Sequence, residues 1–218
     1  MKTSDFYDHI MPRITGAEEP LVLQETFSAI RQLCEEGWAW PVDYGPFSTT
    51  AGSRHIYLNP MPENSVVGYV LQVIYEPSTG GRVQLGTMQN VPPANEPNSS
   101  PRGVYMEDTG TMVLYPTPDT SEAGSIRVSC TTIPTLVVAE LPEMFMTHYR
   151  DAVIDTACHR LMMMDSKPWS SPTMAMFHGR RSRNHIKRIR DITKRRYSMG
   201  SSQWQFPDFA MQGRGGIR

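Results

Sequence analysis

The 218-residue chain is 39% hydrophobic, enough to bury a core, and no apolar run approaches the roughly 20 residues that span a bilayer. Its formal net charge of −1 hides a division. Residues 1–171 hold ten Lys/Arg against twenty Asp/Glu, net −10, whereas residues 172–218 hold eleven Lys/Arg against two acids, net +9. No GxxxxGK[ST], GxSxG or HExxH pattern occurs, and no GxGxxG follows a strand, so nucleotide-phosphate, hydrolase and zinc-protease chemistry lack their signatures. Cys34, Cys130 and Cys158 are odd in number, far apart and outside any CxxC pair. They read as buried free thiols in a reducing compartment. The first twenty residues carry no secretory apolar segment.

The first predicted element is a helix over 20–37. Pro20 suits its first turn, Glu18 and Glu19 favour its positive end, and Gly37 suits its stop. Leu23, Phe27, Ile30 and Cys34, with Leu33 beside them, supply the apolar spacing. Pro41 then prevents the helix from resuming. Residues 42–135 are β-rich. "SRHIYL", "VVGYVLQVIYE" (66–76), "RVQLGTM" (82–88), "GVYMED", "TMVLYP" and "GSIRVSCTTIP" (124–134) read as strands. "PSTGG" and Asp108–Thr109–Gly110 read as hairpin turns, and the proline-rich 90–101 as a loop. These strands predict a small antiparallel sheet or sandwich.

Helix returns over 141–164, with Phe145, Tyr149, Ala152, Val153, Ala157, Leu161 and Met164 on one stripe. His148, Asp151, Asp155 and His159 lie on the opposite face. Two His and two Asp there could hold a metal, but one helix rarely supplies a whole ligand set, so they read as a solvated polar face and no metal or other cofactor is expected. "DSKPWSSP" breaks the helix, Ser170 or Ser171 caps the next, and Pro172 sits in its first turn. The last helix carries "RRSRNHIKRIRDITKRR" (180–196), nine of whose seventeen residues are Lys or Arg. Ile186, Ile189 and Ile192 or Thr193 form its docking stripe.

The expected fold is therefore α+β: a helical bundle of N- and C-terminal helices with an inserted antiparallel β lobe and an extended C-terminal tail. Its expected segments are 1–40, 41–138, 139–197 and 198–218. So many like charges on one helix repel one another, and a merely solvated face would mix Glu with Lys. Arg180, Arg181, Arg183, Lys187, Arg190, Lys194 and Arg195 are thus candidates for an electrostatic contact. In the polar tail, Trp204, Phe206 and Phe209 read as anchors that order against a partner surface. A basic-tailed nucleic-acid-binding protein is the alternative, although no helix-turn-helix or zinc finger supports sequence readout.

Three stretches resemble the head-to-tail adaptor (connector) proteins of tailed bacteriophages, particularly short-tailed ones. They are "MVLYPTPDTSEAGSIRVSCTTIPT" (112–135), "LPEMFMTHYRDAVIDTACHRLMMMDSKPWSSPTMAMFH" (141–178) and "EEGWAWP" closing the first helix. The resemblance implies a virion structural protein without catalytic residues. It implies a homo-oligomeric ring, generally dodecameric, below the portal protein at the head–tail junction. Such a ring extends the DNA channel, lies near packaged DNA without reading it, and docks tail nozzle or tube proteins. It implies assembly in the host bacterial cytoplasm and no membrane partner. The basic helix and the aromatic tail match no motif of that family, so their roles rest on charge and burial.

Overall fold

The computed structural model describes residues 1–58, 64–88, 90, 97–135 and 140–197. The chain opens with a short helix, α1 (Tyr7–Ile10), between two 3-10 turns that the sequence reading did not anticipate. Phe6, Ile10 and Ile14 are fully buried there. The Met1 amino group donates to the Leu141 carbonyl at 2.9 Å, which pins this segment beside the later helices. Helix α2 (Glu19–Gly37) has Pro20 in its first turn, as predicted. Its buried face carries Val22, Ala29, Ile30, Leu33 and Cys34, while Leu23 and Phe27 are only half-buried. The residue that takes the left-handed conformation after α2 is Trp38 (φ 58°), not a glycine.

The expected helical bundle with a small projecting β lobe is overturned. The fold is mixed α+β and dominated by one nearly closed, barrel-like sheet, with helices at the termini and in the middle of the chain. The strands are β1 (Pro41–Thr49), β2 (His55–Tyr57), β3 (Ser65–Tyr75), β4 (Val83–Thr87), β5 (Gly103–Met106), β6 (Thr111–Tyr115) and β7 (Glu122–Pro134). Their spatial order is β1-β7-β3-β4-β5-β6-β2. The outermost strands, β1 and β2, are consecutive in sequence, and a Thr50–Ser53 bridge closes the turn between them. A short connection between the two edges draws them toward each other and curls the sheet. Every pairing is antiparallel except β4 with β5, so the sheet is not the purely antiparallel one expected.

Strand β1 explains the error. Pro41, Gly45 and Pro46 depress its strand propensity, so no strand is predicted there. Pro41 is tolerated as the strand's first residue. Gly45 sits where the β1–β7 register shifts between Tyr44 and Phe47, at φ 104°. A Cβ at Gly45 would lie 2.8 Å from the Ile126 carbonyl oxygen, so only glycine fits this bulge. With β1 in place, β7 is paired on both sides rather than ending a lobe.

Two apolar cores result. One fills the sheet interior with residues such as Val73, Met112, Leu114, Ile126 and Val128. The other joins the helices through Ile30, Leu33, Phe145, Val153 and Leu161. Val42 packs against both. Each fully buried side chain of this size contributes about 1.5–3 kcal/mol. The three cysteines are free and buried, as expected. Burial pushes the Cys130 thiol up to about 12, aided by Asp43, and the Cys158 thiol up to about 11. Cys34 is raised further still by burial, with Glu35 adding to it.

Candidate functional site

The predicted helix over 141–164 is two helices, α3 (Met144–Thr147) and α4 (Arg150–Met162), separated at His148 and Tyr149. The last helix, α5 (Pro172–Tyr197), has 26 residues and is about 39 Å long. Ala175, His178, Gly179, Ser182, Ile186, Ile189, Thr193 and Tyr197 form its buried side. Thr193 therefore completes the docking stripe, and Ile192 stays 51% exposed. At Gly179 the two helices approach so closely that a Cβ would lie 2.9 Å from the His159 ring. That ring is fixed by a 2.8 Å hydrogen bond between His159 Nδ1 and the Ala175 carbonyl.

The polar face of α4 is not solvated as a unit. His148 and Asp151 are exposed, but Asp155 is 1% exposed and faces α5. Its Oδ1 lies 2.8 Å from His178 Nδ1, and its Oδ2 lies 2.9 Å from Arg181 Nε and 3.3 Å from His185 Nε2. Neither of the latter two N–H groups points straight at Oδ2, so these are ion-pair contacts rather than directed hydrogen bonds. A buried carboxylate is costly unless paired, and α5 supplies the pairing at positions one and two turns apart. Beside it, Thr156 Oγ1 donates to the Ala152 carbonyl and lies 2.7 Å from Ser182 Oγ. No group of His, Cys, Asp and Glu among the described residues is arranged to hold a metal ion. The expected face His148–Asp151–Asp155–His159 thus divides into exposed residues and a helix-to-helix clamp.

A second clamp holds the other half of α5. Trp38 stacks on Tyr69, with ring centroids 4.7 Å apart and planes 9° apart. The Arg190 guanidinium lies 4.5 Å and the Lys194 ammonium 5.5 Å from the Trp38 ring centroid. Thr193 Oγ1 donates to the Trp38 carbonyl at 3.2 Å. These contacts offset the roughly 1–2 kcal/mol that a left-handed non-glycine residue costs. "EEGWAWP" showed its apolar content but not this use of Trp38, whose partners lie far away in sequence.

The candidate cations therefore occupy different settings. Arg181 faces Asp155, and Arg190 and Lys194 cover Trp38. Arg195 is exposed. Arg180, Arg183 and Lys187 are exposed along one flank of α5 and make no ion pair or hydrogen bond with the described residues. At the start of α5, Met174, Met176 and Phe177 are 44%, 58% and 49% exposed. Trp204, Phe206 and Phe209 lie outside the described residues. No described helix is long and apolar enough to cross a membrane.

α5 is thus a long, clamped helix that also carries exposed cations with no ion-pair partner among the described residues. The family model described as SU10 adaptor protein matches residues 28–204. The chain belongs to that family, the head-to-tail adaptors of phages, and is a virion component of the adaptor type. No curated protein matches the chain.

Proposed function

We propose that this chain forms a ring, twelve-fold in symmetry, beneath the portal vertex, where it extends the DNA channel and docks tail nozzle or tube proteins. Family membership supports the head–tail location, and the unpaired ridge Arg180–Arg183–Lys187 supports an electrostatic contact at its edge. The body upstream of α5 carries the opposite charge, net −10 over residues 1–171. Long-range attraction between a basic end and an acidic neighbour speeds docking. A head-to-tail contact between copies closes into a ring when its rotation permits. In this reading Arg181, Arg190, Lys194 and Arg195 line the same helix and reinforce its field. Trp204, Phe206 and Phe209 of the tail anchor the contact on the portal or the neighbouring subunit. Exposed charge pairs contribute only about 0–1 kcal/mol each, so the aromatic anchors supply most of the holding energy.

Electron microscopy of the protein mixed with its portal tests this reading. Rotationally symmetric rings on the portal are expected. Removing residues 199–218 should leave a soluble, folded body that no longer joins heads. A chain that stays monomeric with portal present, or a truncated chain that attaches as well as the full one, overturns the proposal. Steeply salt-dependent binding to DNA without portal attachment would favour the nucleic-acid reading instead.

A further inference from the structure

On the outer face of the sheet, where the last turn of α5 meets β1, β7 and β3, lies a cleft of about 340 Å³. Strand alternation sorts its lining. Strand β7 turns Ile126, Val128 and Cys130 into the sheet core and presents Arg127 and Ser129 outward. Strand β3 likewise turns Val73 and Tyr75 inward and presents Gln72 and Ile74 to the cleft. Gln72 is only 6% exposed, yet its Nε2 has no hydrogen-bond partner. A buried amide donor without an acceptor is costly and calls for an explanation.

The carboxylate already in the cleft does not satisfy it. Asp43 Oδ1 accepts a 2.6 Å hydrogen bond from Ser129 Oγ, and Tyr197 lines the cleft beside it. Arg82, Arg127 and Arg196 line the same cleft. Arg82 and Arg127 share Glu76 at 3.3 and 3.6 Å, with their side chains 50% and 62% exposed. Such loose surface pairs leave both arginines available to a second acceptor. The cleft thus combines a bare buried donor with a cationic rim.

We infer that this cleft receives a carboxylate side chain from an acidic peptide segment of an assembly partner. The inference rests on the reading that the chain works by joining other virion proteins. A Glu or Asp side chain projects beyond its own backbone and reaches past a rim to a buried donor. A duplex phosphate is flanked by its strand on both sides and stays at the arginines. An acidic peptide therefore fits this lining better than nucleic acid does.

The test uses the full chain, labelled with ¹⁵N, before any ring or portal is present. A tetraglutamate peptide, its tetraglutamine counterpart, inorganic phosphate and a short DNA duplex are titrated in turn. The Gln72 side-chain amide, assigned through Gln72→Met, is the readout. The glutamate peptide should shift that amide saturably, and the glutamine peptide should not. Arg127→Gln with Arg196→Gln should weaken the glutamate peptide at least tenfold while the amide spectrum of the sheet stays intact. Equal binding of the glutamine peptide, stronger binding of phosphate or duplex at the same amide, or no shift at all overturns the inference. Because the measurement needs no ring, its failure leaves the ring proposal standing, and a failed ring leaves a positive titration standing.

Discussion

Two groups of cations on α5 are of the same residue types and have opposite relations to the rest of the protein. In one group Arg181 faces the buried Asp155, and Arg190 and Lys194 cover Trp38. In the other, Arg180, Arg183 and Lys187 are exposed and meet no partner among the described residues, although Arg183 and Lys187 continue the stripe of Arg190 and Lys194 toward the start of the helix. Arginine content alone does not separate a structural cation from one kept for an encounter. What separates them is the element packed opposite. A cation beside a buried carboxylate or an aromatic face is held by short-range contact, whereas a ridge cation acts through its long-range field.

The sharpest way to break this contrast is at Asp155. Asp155→Ala should lower unfolding stability by about 3 kcal/mol, because His178, Arg181 and His185 lose a shared buried partner. A chemical denaturation midpoint that barely moves would place Asp155 among the dispensable surface acids. Next, Gly179→Ala should cost about 2 kcal/mol, since the new Cβ forces the His159 ring and α4 away from α5. Thermal melts of that variant should show the loss, and an unchanged melt would mean that the helices approach less closely than described.

Alkali probes both cores without changing the arginines. The three thiols have folded pKa values raised above the ordinary range by burial. Above about pH 9 the unfolded chain releases these protons first, so the folded state holds more protons and stability falls as pH rises. The slope is about 1.4 kcal/mol per pH unit for each thiol in this window. Melting temperatures between pH 8 and pH 11 should decline, and less steeply after Cys158→Ala than before. The smallest effect should come from the open ridge. Replacing Arg180, Arg183 and Lys187 together with Gln should change stability by no more than about 0.5 kcal/mol. The same variant should slow association with portal and flatten its salt dependence. If it instead unfolds the protein, these three cations are structural in the same sense as Arg181, Arg190 and Lys194.

Much of the chain's local structure was legible from its residues. Pro20 and Pro172 stand in the first turns of α2 and α5, and the turn at Asp108 joins β5 to β6. In that turn Asp108 Oδ1 accepts the Gly110 and Thr111 amides at 2.7 and 2.6 Å, and these bonds lower its pKa. Such features were readable because each depends on neighbours a few residues away. Strand β1 was not legible, since its prolines and Gly45 are acceptable only against the partner β7. Nor was the break between α3 and α4, because the apolar stripe from Phe145 to Leu161 continues across it. Of the candidate site, no local pattern told Arg181, which meets the buried Asp155, from Arg180, which does not.

By itself, then, the sequence determined the order of most helices and strands, the buried thiols and the concentration of positive charge at one end. These follow from composition and from periods of two and 3.6 residues, which act within one element. Only the tertiary structure decided that the sheet curls through β1, that Asp155 is buried under α5, and that Trp38 carries two cations. Each of those depends on groups brought together from distant positions, such as Trp38 with Lys194 or Asp43 with Ser129. A local pattern states what a residue needs, and the packing of other elements states what meets the need.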